Sequence, residues 1–326
     1  MTLFLTDADV RAAFDWATSI AALRAAYAAP MDEAGFPPRV MARSDGLWLR
    51  TLSGVMGDGS LMGGKTIAAS VRHRRASYLI QLFDQETVEL VALLDGNAIT
   101  GFRTASTSAL AADVLAPAGP LNVGVIGSGF EARHHVRALA AVRELSSVTV
   151  FSPNPNSRTR FLEHLADLGL SMRAADSAPA AVAGADLVVC AARSSDERPT
   201  LRAEWLEAGM TVVSIGSTLP EQREVDTEVI ARAGLIVADQ MDEVVNDTGD
   251  MIAAKQTGIV FADRLRSLGD VVSGRVPGRR SAEDIVVYKS VGGAVQDLAV
   301  AAMCVRRAVE LSIGTVLPVG INPVAK

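Results

Sequence analysis

The sequence feature that most constrains the fold is a glycine-rich turn in the middle of the chain. A short apolar segment, Leu121–Ile126, leads directly into Gly127-x-Gly129-x-x-Ala132, and a segment with helical patterning follows. In a parallel α/β domain, such a turn directs backbone N–H groups at a helix N-terminus toward the pyrophosphate of a dinucleotide. Because the turn opens a domain of this kind, the long segment before it must form a different domain.

Apolar strand-like segments and helix-like segments alternate after this turn, which is typical of βαβ units and a parallel sheet. Strands are predicted at residues 123–126, 147–151, 187–191, 211–215, 235–238 and 285–288, and helices at 131–142, 158–168, 178–183, 202–208 and 227–233. The sequence therefore predicts an α/β fold in which residues 117–294 form a Rossmann-type dinucleotide-binding domain.

The segment before the turn has a different pattern. It predicts helices over 6–29, short strands at 47–49, 64–68, 78–83 and 90–94, and a helix at 99–115 that ends before the breakers at 117–120. Residues 1–116 are therefore expected to form an α+β domain, onto which a final helix at 295–310 packs. The candidate N-caps of the first helices are Thr6, Asp7, Thr18 and Ser19.

The composition narrows the class of function. The chain has 326 residues, 49% of them hydrophobic and 21% charged, which is enough for two domains with large cores. The 31 basic and 37 acidic residues give a net charge of −6, which argues against nucleic acid as the main partner. No apolar run is long enough to span a bilayer, and the N-terminus lacks a signal-peptide pattern. Two distant cysteines and four histidines without metal-ligand spacing favour a cytoplasmic protein with no structural metal.

The end of the second predicted strand bears on the choice of cofactor. NAD binding calls for an acidic residue there to hold the ribose 2′-OH, and residues 150–158 contain none. Ser152, Asn154 and Arg158 offer hydroxyl, amide and guanidinium donors that suit a 2′-phosphate. NADP(H) is therefore favoured and NAD(H) stays possible. The alternative is that Arg158 is a solvated residue in the first turn of the next helix.

Four charged residues are candidates for the chemistry. Arg39, Lys65 and Arg103 are cations of the first domain, and Lys65 lies in an apolar strand, where a charge is costly without an anion. A substrate carboxylate would be such an anion, although each cation could instead form a structural ion pair. Asp226 follows the strand predicted at 211–215, at the sheet edge where α/β proteins bind ligands. It could equally be the N-cap of the next helix.

Six short motifs occur in order along nearly the whole chain. They are Pro38-Arg39, Gly63-Gly64-Lys65, the segment from Asp95 to Ala105, the segment from Gly127 to His135, the segment from Gly216 to Asp226, and the segment from Tyr288 to Asp297. In this combination the chain resembles the ornithine cyclodeaminase/μ-crystallin family. The resemblance implies a homodimer whose first domain, residues 1–116 completed by 295–326, binds substrate and forms the dimer.

The resemblance also implies roles for individual residues. Arg39, Lys65 and Arg103 would bind the carboxylate of an amino or imino acid, with Lys65 and Asp226 as catalytic residues and Asp226 the acid/base at the substrate nitrogen. Cations from the front half would thus meet a carboxyl group from the back half around a reducible C=N bond. The implied cofactor-binding residues are Thr104, Gly127, Ser128, Gly129, Phe130, Glu131, Ala132, Ser152, Asn154, Arg158, Ser217, Val291 and Gly292.

Two departures from cyclodeaminases affect the expected reaction. Ornithine cyclodeaminase has an acidic residue in the strand after Pro-Arg that can meet a distal ammonium, whereas residues 47–50 here contain no acid. The acid typical of NAD binding is also missing. The sequence therefore favours an NAD(P)H-dependent reductase of small cyclic or α-imino acids, or an amino-acid dehydrogenase. The alternatives are ornithine cyclodeaminase with recycled NAD, and a non-catalytic NADP(H)- or ligand-binding protein of the same fold.

Overall fold

The computed structural model describes residues 1–30, 33–193, 196–318 and 320–324. The strands are β1 (Leu3–Leu5), β2 (Val40–Ser44), β3 (Leu47–Val55), β4 (Leu61–Ser70), β5 (Arg75–Asp84), β6 (Leu90–Asp95), β7 (Leu121–Ile126), β8 (Leu145–Phe151), β9 (Met172–Ala174), β10 (Leu187–Cys190), β11 (Thr211–Ser214), β12 (Leu235–Ala238), β13 (Leu265–Ser267), β14 (Val286–Lys289) and β15 (Thr315–Val316). The α-helices are α1 (Asp7–Ala13), α2 (Trp16–Ala28), α3 (Asn97–Leu115), α4 (Phe130–Ala140), α5 (Pro155–His164), α6 (Ala178–Val182), α7 (Thr227–Arg232), α8 (Met241–Asp247), α9 (Gly249–Gln256), α10 (Leu268–Val272) and α11 (Ala294–Glu310).

The chain forms two compact units. The first comprises Met1–Thr104 and Gly293–Lys326, and the second comprises Ala105–Gly292. The boundary between them falls inside α3, whereas the sequence predicts it after residue 116. The reason is that α3 is one continuous helix whose residues are shared between the two units. In the described part of the chain, no α-helix has both the length and the apolar character that crossing a membrane requires.

A seven-stranded sheet forms the first unit, in the order β15-β1-β6-β5-β4-β3-β2. β1 is parallel to β6, and β2 to β6 are antiparallel neighbours. One row of directly paired residues crosses the sheet as Leu52, Lys65, Ile80 and Leu94, and all four are buried. α11 packs against β3, β4 and β5 and contacts α1 and α2. The C-terminal helix therefore completes the first unit, as the sequence predicts.

The first two helices show how local sequence sets helix starts. Thr6 caps α1 through a capping box, since its Oγ1 accepts from Asp9 N (3.2 Å) and Asp9 Oδ2 accepts from Thr6 N (3.0 Å). α2 is capped by Asp15, whose Oδ1 accepts from Thr18 N at 2.8 Å. The expectation of a cap at Thr18 or Ser19 is therefore wrong, because α2 begins before both residues.

Eight parallel strands form the sheet of the second unit, in the order β13-β12-β14-β11-β10-β7-β8-β9. β10, β11, β12 and β14 are buried along their whole length, as expected where helices cover both faces of a parallel sheet. From the β7/β10 pair the chain extends in opposite directions, which creates the switch point where such sheets bind ligands. This is the Rossmann-type fold that the sequence predicts.

Two stretches of the second unit differ from the prediction. Residues 202–208 form only the 3-10 turn Ala203–Trp205, because the Arg232 side chain donates to the carbonyl groups of Ala203 and Leu206 that an α-helix would use internally. The sequence pattern also does not predict α8 and α9. Thr248 and Asp250, both fully buried at the junction of these helices, interrupt the apolar periodicity.

Candidate functional site

The turn between β7 and α4 has the geometry that its small residues require. Gly127 has φ +112°, and a Cβ there would lie 2.4 Å from Ala191 O, so only glycine fits. Gly129 is the N-cap of α4, and a Cβ on it would meet no atom within 4 Å. Ala132 is fully buried, which lets the helix approach the sheet. Because the first N–H groups of a helix lack internal partners, this open turn fits the pyrophosphate of a dinucleotide.

The three side chains beside this turn have different environments. Ser128 Oγ donates to Ser152 Oγ at 2.9 Å, which ties the turn after β7 to the end of β8. Phe130 is 38% exposed, and its ring packs on His134 with centroids 3.9 Å apart. Glu131 lies in the first turn of α4, partly exposed. Their contact with a cofactor stays a prediction, and the geometry leaves the surface of this turn accessible.

His135 on α4 has a structural role. Burial lowers its pKa to about 4, so the imidazole is neutral at neutral pH. With Nδ1 donating to Glu131 O at 2.7 Å, Nε2 accepts from Ser108 Oγ at 3.0 Å. Both ring nitrogens are thereby used inside the second unit, and the side chain anchors α4 to α3.

Two of the residues predicted to hold the adenosine ribose lie at the end of β8. Ser152 is buried, and its hydroxyl is shared with Ser128. Asn154 caps α5, with its Oδ1 accepting from Asn156 N at 2.9 Å. The Asn154 side chain is therefore used by the helix, while its amide nitrogen retains donor capacity.

Arg158 is more constrained than the solvated first-turn residue that the alternative interpretation predicts. Its guanidinium donates to Ala175 O and lies 5.7 Å from the centroid of the Phe151 ring. Asp176 Oδ1 lies 3.4 Å from Arg158 Nη1, and this carboxylate is fully exposed. The Arg158 side chain is thus held beside β8 and β9 with part of its charge already paired.

Two of the three predicted substrate-binding cations converge on one carboxylate in the first unit. Lys65 Nζ lies 2.7 Å and Arg103 Nε 3.1 Å from Asp297 Oδ1, and all three residues are buried. Asp297 Oδ2 accepts no hydrogen bond from the residues that the structure describes. Arg103 Nη1 also donates to Gln296 Oε1 at 2.7 Å. Strand β4, helix α3 and helix α11 each supply one charged member of this cluster, which we call the Lys65 cluster.

The Lys65 cluster carries a surplus of positive charge. Burial lowers the pKa of Lys65 to about 8; the attraction of Asp297 opposes this shift, and the charges of Arg103 and Arg39 add to it. Arg39 is therefore close enough to act on Lys65, so all three predicted cations lie in one region of the first unit. At neutral pH Lys65 is largely protonated, so in the described part of the cluster two buried cations, Lys65 and Arg103, share the carboxylate of Asp297. An arrangement of this kind favours an incoming anion.

Asp226 lies at the start of α7, as the N-cap interpretation of the sequence predicts. It is the N-cap of α7, with Oδ1 accepting from Val229 N at 3.0 Å, and its Oδ2 accepts from Ala203 N at 3.1 Å. Both oxygens therefore have structural partners, although a carboxylate has further acceptor capacity. The capping role is a finding, and the acid/base role stays a prediction.

Ser217 and Thr104 direct their hydroxyl groups inward. Ser217 is fully buried and donates to Gln222 O at 2.6 Å, which closes the loop after β11. Thr104 Oγ1 donates to Thr100 O at 2.7 Å within α3. Each hydroxyl group donates its proton to the protein's own backbone, and a cofactor contact at either residue stays a prediction.

The Ser290–Gly292 segment is held by a carboxylate that the sequence analysis does not single out. Asp239, which follows β12, accepts from Ser290 Oγ at 2.6 Å, Val291 N at 3.0 Å and Gly292 N at 2.8 Å. Gly292 has φ +80°, a left-handed conformation that favours glycine. Val291 and Gly292 are predicted to bind the cofactor; their N–H groups donate to Asp239, which fixes the shape of the segment.

A second buried charge cluster lies at the carboxyl ends of β11 and β14. Lys289 Nζ lies 2.9 Å from Asp250 Oδ2 and donates to Ser214 Oγ at 2.8 Å. Ser214 Oγ in turn donates to Glu224 Oε2 at 2.6 Å, and Gly216 N donates to the same oxygen at 2.8 Å. Burial raises the pKa of Glu224 to about 7, against the attraction of Lys289. We call this set the Glu224 cluster.

Sequence reasoning missed the partners of the predicted residues. Gln296 and Asp297 are fully buried on a helix that is otherwise apolar over most of its length, and that mismatch is the signal that could have identified them. Lys289 offers a similar signal, since it ends an apolar strand. Asp239 and Asp250 carry no comparable pattern, because acidic residues after a strand or in the first turn of a helix are common.

Comparisons with known proteins agree with this architecture. A profile of the ornithine cyclodeaminase/mu-crystallin family matches residues 65–312. The chain is 29% identical over 279 residues to a Bacillus cereus Delta(1)-pyrroline-2-carboxylate reductase, covering 85% of this chain and 82% of the relative. It is 32% identical over 222 residues to the iminosuccinate reductase of Paracoccus denitrificans, covering 68% of this chain and 67% of the relative.

The solved structure of that iminosuccinate reductase in complex with NAD+ has the same fold. It superposes with a TM-score of 0.88 at 26% sequence identity, and the match covers 96% of this chain and 98% of the other. The profile match spans most of the chain and includes Lys65, Arg103, the glycine turn and Asp297. The chain therefore belongs to the ornithine cyclodeaminase/mu-crystallin family.

Proposed function

We propose that the protein is an NAD(P)H-dependent reductase of small cyclic or α-imino acids, which converts a C=N bond at the α-carbon into an amine. The observation that carries this proposal is the Lys65 cluster, where buried cations outnumber the single carboxylate Asp297. A substrate carboxylate supplies the missing negative charge. Relatives named as pyrroline-2-carboxylate and iminosuccinate reductases support the same class of reaction.

The cations fix the position of the substrate. Lys65, Arg103 and Arg39 bind its carboxylate, and charge-assisted hydrogen bonds from two directions orient the adjacent α-carbon. Asp226 acts as the acid that keeps the imine nitrogen protonated, because an iminium accepts a hydride far more readily than a neutral imine. Lys65 combines binding with catalysis, since its charge also stabilises the bound anion during reduction.

The turn at Gly127 and Gly129 holds the cofactor through backbone N–H groups. A reduced nicotinamide bound there supplies the hydride. For the adenosine end we propose NADP(H), because residues 151–158 contain no carboxylate for a ribose 2′-OH, while Ser152, Asn154 and Arg158 offer donors. The ratio of kcat/KM for NADPH and NADH tests this choice, and Arg158→Gln should lower the ratio.

We also propose a homodimer formed through the first unit. The outer face of β2, β3 and β5 exposes apolar side chains that a monomeric protein would normally cover. These are Val40, Leu47, Leu49, Val55 and Leu79. Sedimentation should give a dimer for the native chain, and Leu49→Lys should shift it toward the monomer.

The reaction is tested with purified protein and two substrate mixtures. With Δ1-pyrroline-2-carboxylate and NADPH or NADH, we expect loss of reduced-nicotinamide absorbance and formation of proline. With ornithine and NAD+, we expect no ammonia release. Ammonia from ornithine without net change in the cofactor would replace the reductase by a cyclodeaminase. Binding of cofactor without turnover of any imino acid would favour a non-catalytic binding protein.

A further inference from the structure

Two consecutive residues of α11 hold Arg103. Its Nε lies 3.1 Å from Asp297 Oδ1, and its Nη1 donates to Gln296 Oε1 at 2.7 Å. All three side chains are buried in the first unit. Because a guanidinium is planar and its N–H groups point in fixed directions, contacts at two of its nitrogens fix the plane of the whole group. Helix α11 therefore determines how Arg103 is oriented as well as how its charge is balanced.

The Gln296 amide is held at its other end by Tyr27. Gln296 Nε2 donates to Tyr27 Oη at 2.9 Å, and both residues are fully buried. An amide has an acceptor oxygen and a donor nitrogen, whereas a guanidinium has donors only, so Gln296 must present its oxygen to Arg103. A phenolic oxygen can accept from the amide nitrogen that remains. Tyr27 thus keeps the amide in the orientation that Arg103 requires.

This series of contacts joins three helices that are distant in the sequence. Tyr27 lies on α2, Gln296 on α11 and Arg103 on α3. A buried polar side chain costs free energy unless its hydrogen bonds are made, and Gln296 lies on a helix whose buried residues are mostly apolar. Because the amide is neutral, it orients Arg103 without adding a second negative charge to the Lys65 cluster.

We propose that Gln296 and Tyr27 are positioning residues for the substrate carboxylate. Gln296 holds the Arg103 guanidinium in the orientation that binds the carboxylate, and Tyr27 acts through Gln296. This inference rests on the proposed reductase function and assigns the residues that support its carboxylate site. Neither residue contacts the substrate, so changes at both should weaken substrate binding and leave the rate of hydride transfer unchanged.

The test uses the purified enzyme with NADPH or NADH and Δ1-pyrroline-2-carboxylate. Gln296→Met removes the acceptor for Arg103 at similar volume and should raise KM by about tenfold or more, with kcat changed less than about twofold. Cyclopentanecarboxylate has the same ring size and a carboxylate but no C=N bond, so as a competitive inhibitor it measures carboxylate binding alone. Its inhibition constant should rise by the same factor as KM.

A double-mutant cycle tests whether Tyr27 acts through Gln296. Tyr27→Phe removes only the hydroxyl group and should raise KM by about three- to tenfold, because the amide nitrogen is no longer held. In the Gln296→Met background the same change should add less than about twofold, since the amide that Tyr27 holds is already absent. Two independent effects on the fold would instead multiply.

Gln85→Met is the matched control. Gln85 is a partly buried glutamine of the first unit whose Nε2 donates to Met56 O at 2.7 Å and to Leu61 O at 2.8 Å. Its replacement should lower the midpoint of thermal unfolding and leave KM unchanged.

Three outcomes would overturn the proposal while leaving the reductase function in place. An unchanged KM in Gln296→Met would remove the positioning role of Gln296, and effects that multiply in the cycle would remove that of Tyr27. An equal rise of KM in Gln85→Met would show that a general loss of stability in the first unit is sufficient. Failure of the native enzyme to reduce any imino acid would overturn both the positioning roles and the reductase function.

Discussion

The two units each bury a charge cluster, and the clusters differ in how their charges are balanced. In the first unit, Lys65 and Arg103 share one oxygen of Asp297, so positive charge is in excess. In the second unit, Lys289 contacts Asp250 directly and Glu224 through Ser214, and Arg223 Nε lies 3.3 Å from Asp250 Oδ1, so two cations accompany two carboxylates. Both clusters are fully removed from water or nearly so.

The difference shows how a buried surplus of charge is neutralised. A buried carboxyl group can hold a proton, and burial accordingly raises the pKa of Glu224 to about 7. A surplus of guanidinium is not removed in this way, because arginine stays protonated, and an anion is needed instead. The second cluster is therefore balanced within the protein, whereas we propose that a substrate anion completes the first.

Replacing the buried Lys65 tests whether the cluster of the first unit binds an anion. It has the largest expected effect of the changes considered. Lys65→Met should lower kcat/KM by about 100- to 1,000-fold, because a charge-assisted contact to the substrate carboxylate is lost. NADPH or NADH binding, followed by fluorescence titration, should not change. Lys255→Met removes an exposed lysine and serves as control. A loss below about threefold in the Lys65 variant would contradict anion binding at this cluster.

The two roles of Asp226 can be separated by a conservative change. Asp226→Asn keeps the N-cap acceptor for Val229 N but loses the acceptor for Ala203 N, so the unfolding midpoint should fall modestly, while loss of the acid should lower kcat by about 100-fold or more. Asp15→Asn is a control for the cap itself, since Asp15 Oδ1 accepts from the third residue of α2 as Asp226 Oδ1 does in α7. An unchanged kcat in the Asp226 variant would contradict the acid/base role and leave Asp226 only its role as N-cap.

The pH dependence of substrate binding tests the link between Lys65 and Asp297. KM of the native enzyme should be constant below pH about 8 and rise above it, as Lys65 loses its proton. Because Asp297 raises the pKa of Lys65, Asp297→Asn should move that rise to lower pH. The measurement is KM against pH at saturating cofactor. An unmoved midpoint would show that another group controls the profile.

The smallest expected effect concerns stability in the second unit. Glu224 keeps its proton to about pH 7 when folded, whereas an unfolded glutamate loses it near its ordinary value of 4.5. The folded state therefore binds more protons within this window, and the unfolding free energy should fall as pH rises from about 4.5 to 7, then level off. The expected fall is on the order of 3 kcal/mol.

Glu224→Gln removes this titration while keeping an acceptor for Ser214 and Gly216. Urea unfolding at several pH values should therefore show a flatter profile for the variant than for the native chain. Glu310→Gln, at the exposed end of α11, is the control and should leave the slope unchanged. Equal slopes for the native chain and the Glu224 variant would contradict a proton held at this position.

Much of the fold could be predicted from local pattern. The alternation after residue 120 predicts the parallel sheet because each βαβ unit carries its own periodicity, and the small residues of the turn at Gly127 have a steric reason that involves few other parts of the chain. The short strands β9 and β13 and helices α8 to α10 escape prediction. The two strands are only three residues long, too short to show a period, and the buried polar residues Thr248 and Asp250 interrupt the pattern of α8 and α9.

The candidate site was predictable in its cations and not in its anions. Lys65 is conspicuous because an ammonium in an apolar strand is costly. Asp297 is 232 residues away in the sequence, on a helix whose return to the first unit determines which charge Lys65 meets. For Asp226, the sequence alone leaves two roles open, the acid/base and the helix N-cap. The structure establishes the N-cap.

The sequence by itself determined the dinucleotide turn, the βαβ order and the residue types that can bind a carboxylate, because these depend on steric limits and periodicities within a few residues. Only the tertiary structure decided which charges share a buried space. The free energy of a buried charge depends on neighbours that the fold brings from remote segments, and the surplus of positive charge beside Asp297 therefore became visible only after folding.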